Sequence, residues 1–255
     1  MKQILIIGIG AGDPDHLTRQ AIKAMNRADA FFLMDKGPSK GTLIDHRRRL
    51  CEEVIDGTDY RFIEGDCPER IRNVPNYRSS VDDLNQDKRE VFEWMIDEQL
   101  ADGECGAFLV WGDPALYDST IRIVADIAAA GRLAIDYEVI PGISSLQALA
   151  ARHKVCFNSI GNAFQVMPAR RLAEQGFPEA LDSVLVMLDA RDTYTGFVGQ
   201  GLTIYWGAYV GSADEVLIAG ALDEVAESIR DARRELREKH GWIMDSYLLR
   251  RGAAD

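Results

Sequence analysis

The sequence predicts an α/β protein of two domains, residues 1–141 and 142–255. The first should carry a parallel sheet with helices on both faces, and the second a mixed sheet. Three observations carry this expectation. Short apolar runs alternate with amphipathic stretches through the first domain. Three of those runs end in a sharp glycine or proline turn. Beyond Pro141 the apolar runs follow one another with fewer helices between them, as a mixed sheet allows.

Taken in order, Lys2–Ile7 is short, apolar, β-branched and ended by glycine, the pattern of a buried parallel strand. Thr18 is a fitting N-cap for a helix reaching about Arg27, with Leu17 and Ile22 as a hydrophobic staple and Ala21, Ile22, Met25 and Ala28 as its apolar stripe. Ala30–Met34 reads as a second strand, and Thr42–Glu53 as a helix. Residues 57–80 show little periodicity and read as one long loop, a length that in a compact domain usually signals function. A long helix follows to Ala101, its buried stripe formed by Val91, Phe92, Met95, Ile96 and Leu100. Ala107–Trp111 is a strand, Ser119–Ala130 a helix ended by Gly131, and Ile135–Ile140 a strand. In the second domain a helix at Ser144–Arg152 precedes strands near Phe164–Met167, Val184–Leu188, Thr203–Val210 and Val216–Ile218. A helix over Leu222–His240 and a strand over Trp242–Leu249 complete the chain.

The 255 residues, 47% of them hydrophobic, suffice for one large or two modest cores. No apolar stretch approaches the ~18–20 residues of a membrane span. The start lacks the features of a signal peptide, so a cytoplasmic location is expected. Cys51, Cys67, Cys105 and Cys156 form no C-x-x-C pair, so reduced thiols and no metal site are expected. A net charge of −12 argues against nucleic acid or an anionic membrane as the main partner, while leaving an anionic small molecule open. Basic clusters at His46–Arg49, at Arg70, Arg72 and Arg78, and at Arg170-Arg171 are candidate anion contacts or simply solvated faces.

Three turns carry the chemistry. Gly8-Ile9-Gly10-Ala11-Gly12-Asp13-Pro14 follows the first strand. It fits the dinucleotide fingerprint badly: the third glycine comes one residue early, and Asp13 sets a negative charge where a pyrophosphate would lie. A nicotinamide-dependent oxidoreductase is therefore the weaker reading of this turn, and a non-enzymatic carrier is a further alternative. Gly112-Asp113-Pro114-Ala115-Leu116-Tyr117 puts a carboxylate at a strand's carboxyl end, where open α/β sheets bind ligands. Pro141-Gly142-Ile143-Ser144-Ser145 turns sharply into a helix that Ser144 can cap. Its single, misplaced glycine excludes the nucleophile elbow of serine hydrolases.

Together the three turns resemble the tetrapyrrole methylases, whose opening pattern stands here as Gly8–Thr18, whose Gly-Asp-Pro loop stands at Gly112–Pro114 and whose Pro-Gly-Ile-Ser-Ser turn stands at Pro141–Ser145. The resemblance implies two α/β domains with S-adenosyl-L-methionine in the interdomain cleft. It implies cofactor contacts from Pro14, Gly112, Asp113, Ser144, Ser145, Met187 and Ala208. The segment Tyr205–Tyr209, the ending His240–Arg251 and the long loop resemble the deacetylating precorrin branch of the family. That branch implies conversion of precorrin-5 to precorrin-6A, with methylation at ring carbon 1, release of acetate and formation of S-adenosyl-L-homocysteine. The alternative within the family is methylation of another precorrin or a siroheme precursor. Asp113 and Tyr117 are the candidate acid–base residues, though cofactor binding alone also accounts for Asp113. Arg47, Arg78 and Arg170 are candidates for the substrate's carboxylates. A homodimer is expected because relatives usually form one. Two departures from the family stand out: Trp111, where many members have glycine, and Asp189–Gly201, which replaces the usual helix.

Overall fold

The computed structural model describes residues 1–35, 41–66 and 77–252, and the side chains of residues 35, 41–42 and 77–83 also lie outside the description. The chain divides into two compact units, Met1–Ile143 and Ser144–Asp255.

The first unit holds strands β1 (Lys2–Gly8), β2 (Ala30–Asp35), β3 (Arg61–Asp66), β4 (Cys105–Val110) and β5 (Ile135–Ile140). They pair in the order β3-β2-β4-β1-β5, every pair parallel. Its helices are α1 (Arg19–Met25), α2 (Gly41–Val54), α3 (Tyr77–Gln99) and α4 (Thr120–Ala130). The two-residue period of a strand sorts the core. Ile4, Ile6, Phe32, Phe108 and Val110 face α3 and α4, meeting Phe92, Met95, Ile96, Ile123, Val124 and Ile127. Leu5, Ile7, Phe31, Ala107 and Leu109 face the other way, onto Ala21, Ala24 and Met25 of α1 and Leu50 and Cys51 of α2. Because both faces are covered, each central strand reads as an unbroken apolar run. Thr18 caps α1 as expected, its Oγ1 accepting from Ala21 N–H at 3.0 Å. Gly131 ends α4 at φ +67°.

The reading of residues 57–80 as one loop needs correction. Arg61–Asp66 is strand β3, and α3 already begins at Tyr77. β3 lies at the sheet edge, so its outward positions Arg61, Glu64 and Asp66 are exposed and charged. Only Ile63 packs among the buried core residues, with Phe62 partly buried on the opposite face. Charged edges discourage strand addition, and the same charges hide the strand's apolar signal.

The second unit holds β6 (Phe164–Pro168), β7 (Ser183–Met187), β8 (Leu202–Ala208), β9 (Val216–Ala221) and β10 (Asp245–Arg251). Their order is β6-β7-β10-β8-β9, with only the β6–β7 pair parallel. The helices are α5 (Ser145–His153), α6 (Ala169–Gln175) and α7 (Leu222–His240). Helix α6 escaped the sequence reading: at seven residues it shows barely two turns of periodicity. Strand β10 starts three residues later than expected. Tyr209 instead ties down the approach to it, its N–H donating to Met244 O at 2.9 Å and its hydroxyl to Trp242 O at 2.7 Å. Val184, Val186, Ile204, Trp206, Tyr247 and Leu249 form one face with Leu222, Ile229 and Leu236 of α7.

A buried polar network is built into this core. Arg233, 1% exposed, donates to Asp189 O at 2.6 Å, pairs with Asp192 at 2.6 Å and also pairs with Asp245. Trp206 Nε1–H donates to Asp245 at 2.8 Å, and Tyr247 hydroxyl to Asp189 Oδ2 at 2.8 Å. Burial pushes Asp245 up to about 6, against the opposing pull of Arg233 and the indole N–H. The network fixes the segment after β7, where Thr193–Phe197 forms a short 3-10 turn. Among the described residues, no helix is long and apolar enough to cross a membrane.

Removing Arg233 leaves Asp245 and Asp192 without their countercharge. Arg233→Leu is expected to cost about 3–5 kcal/mol in a urea unfolding experiment, the range for stripping one partner from a buried ion pair.

Candidate active site

The tips of β4, β1 and β5 lie side by side, and the three turns emerge from them. Their meeting point is bare backbone. A Cβ on Gly142 would stand 2.1 Å from Gly112 O and 2.8 Å from Gly8 Cα, and one on Gly8 would stand 2.6 Å from Gly142 N. Gly10 and Gly112 form a bridge, with Gly112 N–H donating to Gly10 O at 2.8 Å. His16 packs over Gly10, whose φ of +80° and 2.6 Å clearance to His16 Cβ leave no room for a side chain.

Asp113 locks this arrangement. Its Oδ1 accepts from Ala115 N–H at 2.8 Å and its Oδ2 from Gly142 N–H at 2.9 Å. One carboxylate thus closes its own turn and ties the second turn to the third. Pro14 opens a 3-10 turn (Pro14–His16) that Asp13 caps by accepting from Asp15 N–H at 2.9 Å. That cap places a carboxylate on the end of the turn a dinucleotide's pyrophosphate would need, which weighs against the oxidoreductase reading. Tyr117 follows at φ +55° and 44% exposed, an uncommon backbone state for a side-chain-bearing residue. Burial pushes its phenol up, which keeps it protonated at neutral pH.

In the second unit Ser144 is buried and caps α5. Its Oγ accepts from Leu146 N–H at 3.2 Å, its N–H donates to Gln147 Oε1 at 3.1 Å, and its hydroxyl bonds the same Gln147 oxygen. Ser144 is thus committed to its helix, whereas Ser145 is half-buried at the first helical position. Met187 ends β7, and Ala208 ends β8. Met187 and Gly207 both pair with Ser246 of β10, and Ala208 pairs with Asp245, so the two strands finish at one edge. Leu188 and Tyr209, next in line, take φ of +60° and +49°. The Ala208 methyl is in the core, which leaves its backbone as the contact surface.

The proposed cations fare differently from one another. Arg47 Nε donates to Leu109 O at 2.9 Å and Nη1 to Leu43 O at 3.0 Å, pinning α2 to the end of β4. Arg170 pairs with Glu174 at 2.8 Å on α6. The side chain of Arg78 lies outside the described residues. The sequence reading missed a row of arginines on α7. Arg230, Arg233, Arg234 and Arg237 line a cavity of about 360 Å³ with Asp192 and Glu238. Their spacing of three and four residues is a helix-face signal that was available.

It also missed three polar atoms near the first unit's turns. His16 Nδ1, His46 Nε2 and Trp111 Nε1 are buried without a hydrogen-bond partner, as is Ser246 Oγ between Met187 and Gly207. The His46 and Trp111 rings lie 4.9 Å apart, centroid to centroid. Burial, then Arg49 and Arg47, pull His46 down to about 4. Cys51 and Cys105 are buried, their thiols pushed up to about 12 and about 11 chiefly by burial, which makes them inert packing groups.

Similarity to known proteins extends along most of the chain. Residues 3–226 match the family of Tetrapyrrole (Corrin/Porphyrin) Methylases. A precorrin-6A synthase [deacetylating] from Sinorhizobium sp. is 45% identical over 253 residues, covering 99% of this chain and 97% of the relative. The crystal structure of a cobalamin synthesis related protein (CobF) from Corynebacterium diphtheriae superposes with a TM-score of 0.81 at 32% identity, covering 98% of each chain. Uroporphyrin-III C-methyl transferase from Thermus thermophilus, solved with S-adenyl homocysteine, shares the fold at a TM-score of 0.57 and 14% identity, covering 97% of this chain and 91% of the other.

Two outcomes test this geometry. Gly142→Ala forces a methyl group into backbone with nothing to yield, and is expected to destabilise the first unit by about 1–3 kcal/mol or more in denaturant titration. His46 carries a pH signature. The unfolded chain protonates it below its ordinary 6.5, whereas the folded chain keeps it neutral down to about 4. Stability from this group is complete above pH 6.5 and declines as pH falls toward 4. Replacing His46 by Phe should flatten the slope of stability against pH across that window by close to one proton, read by melts at stepped pH.

Proposed function

Since the chain belongs to the tetrapyrrole (corrin/porphyrin) methylase family, we propose that it is an S-adenosyl-L-methionine-dependent methyltransferase of cobalamin synthesis that converts precorrin-5 to precorrin-6A and releases acetate. The observation that carries the reading is the 45% identity to a deacetylating precorrin-6A synthase along 99% of the chain. Partial matches to other precorrin methylases are weaker, as with the 26% identity over 154 residues to a cobalt-precorrin-4 methyltransferase from Methanocaldococcus jannaschii.

The residues fit the methyl donor. The glycine-walled tips of the first unit offer main-chain groups at a place a side chain would fill, and a neutral or cationic ligand suits the carboxylates of Asp13 and Asp113 better than a diphosphate does. We assign its contacts to Pro14, Gly112 and Asp113 in the first unit and to Ser144, Ser145, Met187 and Ala208 in the second. When bound, S-adenosyl-L-methionine supplies an electrophilic methyl group. The chain's own task is to orient the two reactants and exclude water from that transfer. Asp113 holds the turns in register and acts on chemistry through that register. Tyr117, with its phenol kept protonated, is the better placed of the two acid–base candidates to give a proton. Arg47, Arg78 and Arg170 remain the candidates for the substrate's carboxylates. A homodimer in the cytoplasm, with no nucleic-acid partner, completes the proposal.

Incubating the full chain with precorrin-5 and S-adenosyl-L-methionine should yield acetate and S-adenosyl-L-homocysteine in equal amounts. Methyl transfer to another precorrin or to uroporphyrinogen III, with no acetate formed from precorrin-5, would replace this reading with another member of the family.

A further inference from the structure

Residues His46 and Trp111 present an arrangement that the methyl-donor assignment does not use. Trp111 follows β4 and begins the Gly-Asp-Pro turn. His46 stands on α2 against it, with ring centroids 4.9 Å apart and planes inclined by 53°. Indole Nε1 and imidazole Nε2 are both buried, and neither has a hydrogen-bond partner among the described residues. A buried polar atom left unpaired is destabilising, so two in contacting rings point to a ligand atom they share. Arg47 fixes the spacing: its bonds to Leu109 O at 2.9 Å and to Leu43 O at 3.0 Å anchor α2 two residues before Trp111.

The chemistry of the two rings narrows what that atom is. Indole Nε1 only donates, and a neutral imidazole donates from one nitrogen. Two N–H groups on contacting rings accept nothing and suit an oxygen that gains negative charge. We propose that Trp111 Nε1–H and His46 Nε2–H form the oxyanion site for the acetyl group that the substrate loses, an inference that rests on the precorrin-5 reading above. Water's oxygen bonds to the acetyl carbon, one water proton passes to solvent, and the carbonyl π pair moves onto the oxygen facing the two N–H groups. When that pair re-forms the C=O bond, the carbon–carbon bond to the macrocycle breaks. Its electron pair enters the conjugated ring, and acetic acid departs. No oxidant or reductant is needed.

An imidazole held neutral down to about pH 4 suits this role. It stabilises charge by donation and is a poor proton acceptor, as a general base should not be.

The test uses the full chain with precorrin-5 and S-adenosyl-L-methionine, and compares Trp111→Phe, His46→Phe and His46→Gln. Removing either N–H is expected to slow acetate release by ~10²-fold or more, the usual loss for one oxyanion donor. His46→Gln, which keeps an N–H at similar reach, should recover most of the rate. The Kd for S-adenosyl-L-methionine, read by calorimetry on each variant, should change by less than about twofold, since the donors act on the acetyl group alone. Acetate release within about threefold of the parent in Trp111→Phe would overturn the proposal. So would a loss of methyl-donor affinity equal to the loss of rate, which would move the pair to the cofactor. Should His46→Phe fail to fold, Trp111→Phe and His46→Gln still decide it. A parent chain that releases no acetate would instead defeat the precorrin-5 reading, so the two failures are told apart.

Discussion

Everything at the candidate site follows from one close approach of main chain to main chain. Parallel strands run about 4.8 Å apart, and the first unit lets the tips of three neighbours lean together without a side chain between them. Gly8, Gly112 and Gly142 touch backbone to backbone, so closely that a Cβ on Gly8 or Gly142 would collide. The result is a floor of peptide groups. A ligand that meets it is read by main-chain donors and acceptors, which hold position better than flexible side chains. Asp113 serves this floor: with one oxygen on Ala115 N–H and the other on Gly142 N–H, it acts as the clamp between two turns. Trp111 and Tyr117 flank the Gly112-Asp113 turn of this floor, and His46 packs against Trp111.

The second unit reaches a similar end by other physics. Its strand ends at Met187 and Ala208 are held by charge. Arg233 joins Asp189, Asp192 and Asp245, so the segment leaving β7 and the first residue of β10 are fastened to α7 by one guanidinium. Close backbone contact tolerates no substitution by size, whereas a buried ion network tolerates none by charge. Both are costly to alter, and both stand next to the residues assigned to the methyl donor.

Much of this was legible in the sequence because it depends on local rules. Buried parallel strands announce themselves as apolar runs, so β1, β2, β4 and β5 were readable, as was α7 to the residue. Turn chemistry named Gly112, Asp113 and Gly142, because only turns demand such residues after a strand. What stayed hidden was decided by tertiary partners. β3 carries charges because it is an edge. Asp113 read both as an acid–base candidate and as a cofactor contact, and no local rule showed that its second oxygen accepts from Gly142 N–H, 29 positions away. Arg47 read as a candidate for the substrate's carboxylates or as part of a solvated face, and its bond to a carbonyl 62 positions on was not readable. His46 and Trp111 are 65 positions apart, and no periodicity links them.

The charge of the chain bears on how such a site can recognise a polycarboxylate ring. A net charge of −12 repels the substrate, but that field is screened over a Debye length of about 8 Å at physiological ionic strength. Long-range attraction is therefore not the source of affinity. Several arginines are occupied within the fold: Arg47 by carbonyls, Arg170 by Glu174, Arg233 by three aspartates. In the proposed complex, recognition rests on short-range terms: the candidate arginines at the carboxylates and N–H donors shielded from water at the acetyl group. Such donors gain strength as the site dries, because a hydrogen bond to an anion is worth most where no solvent competes. The proposed Trp111 and His46 donors would meet anionic oxygen without an exposed positive charge that also attracts other anions.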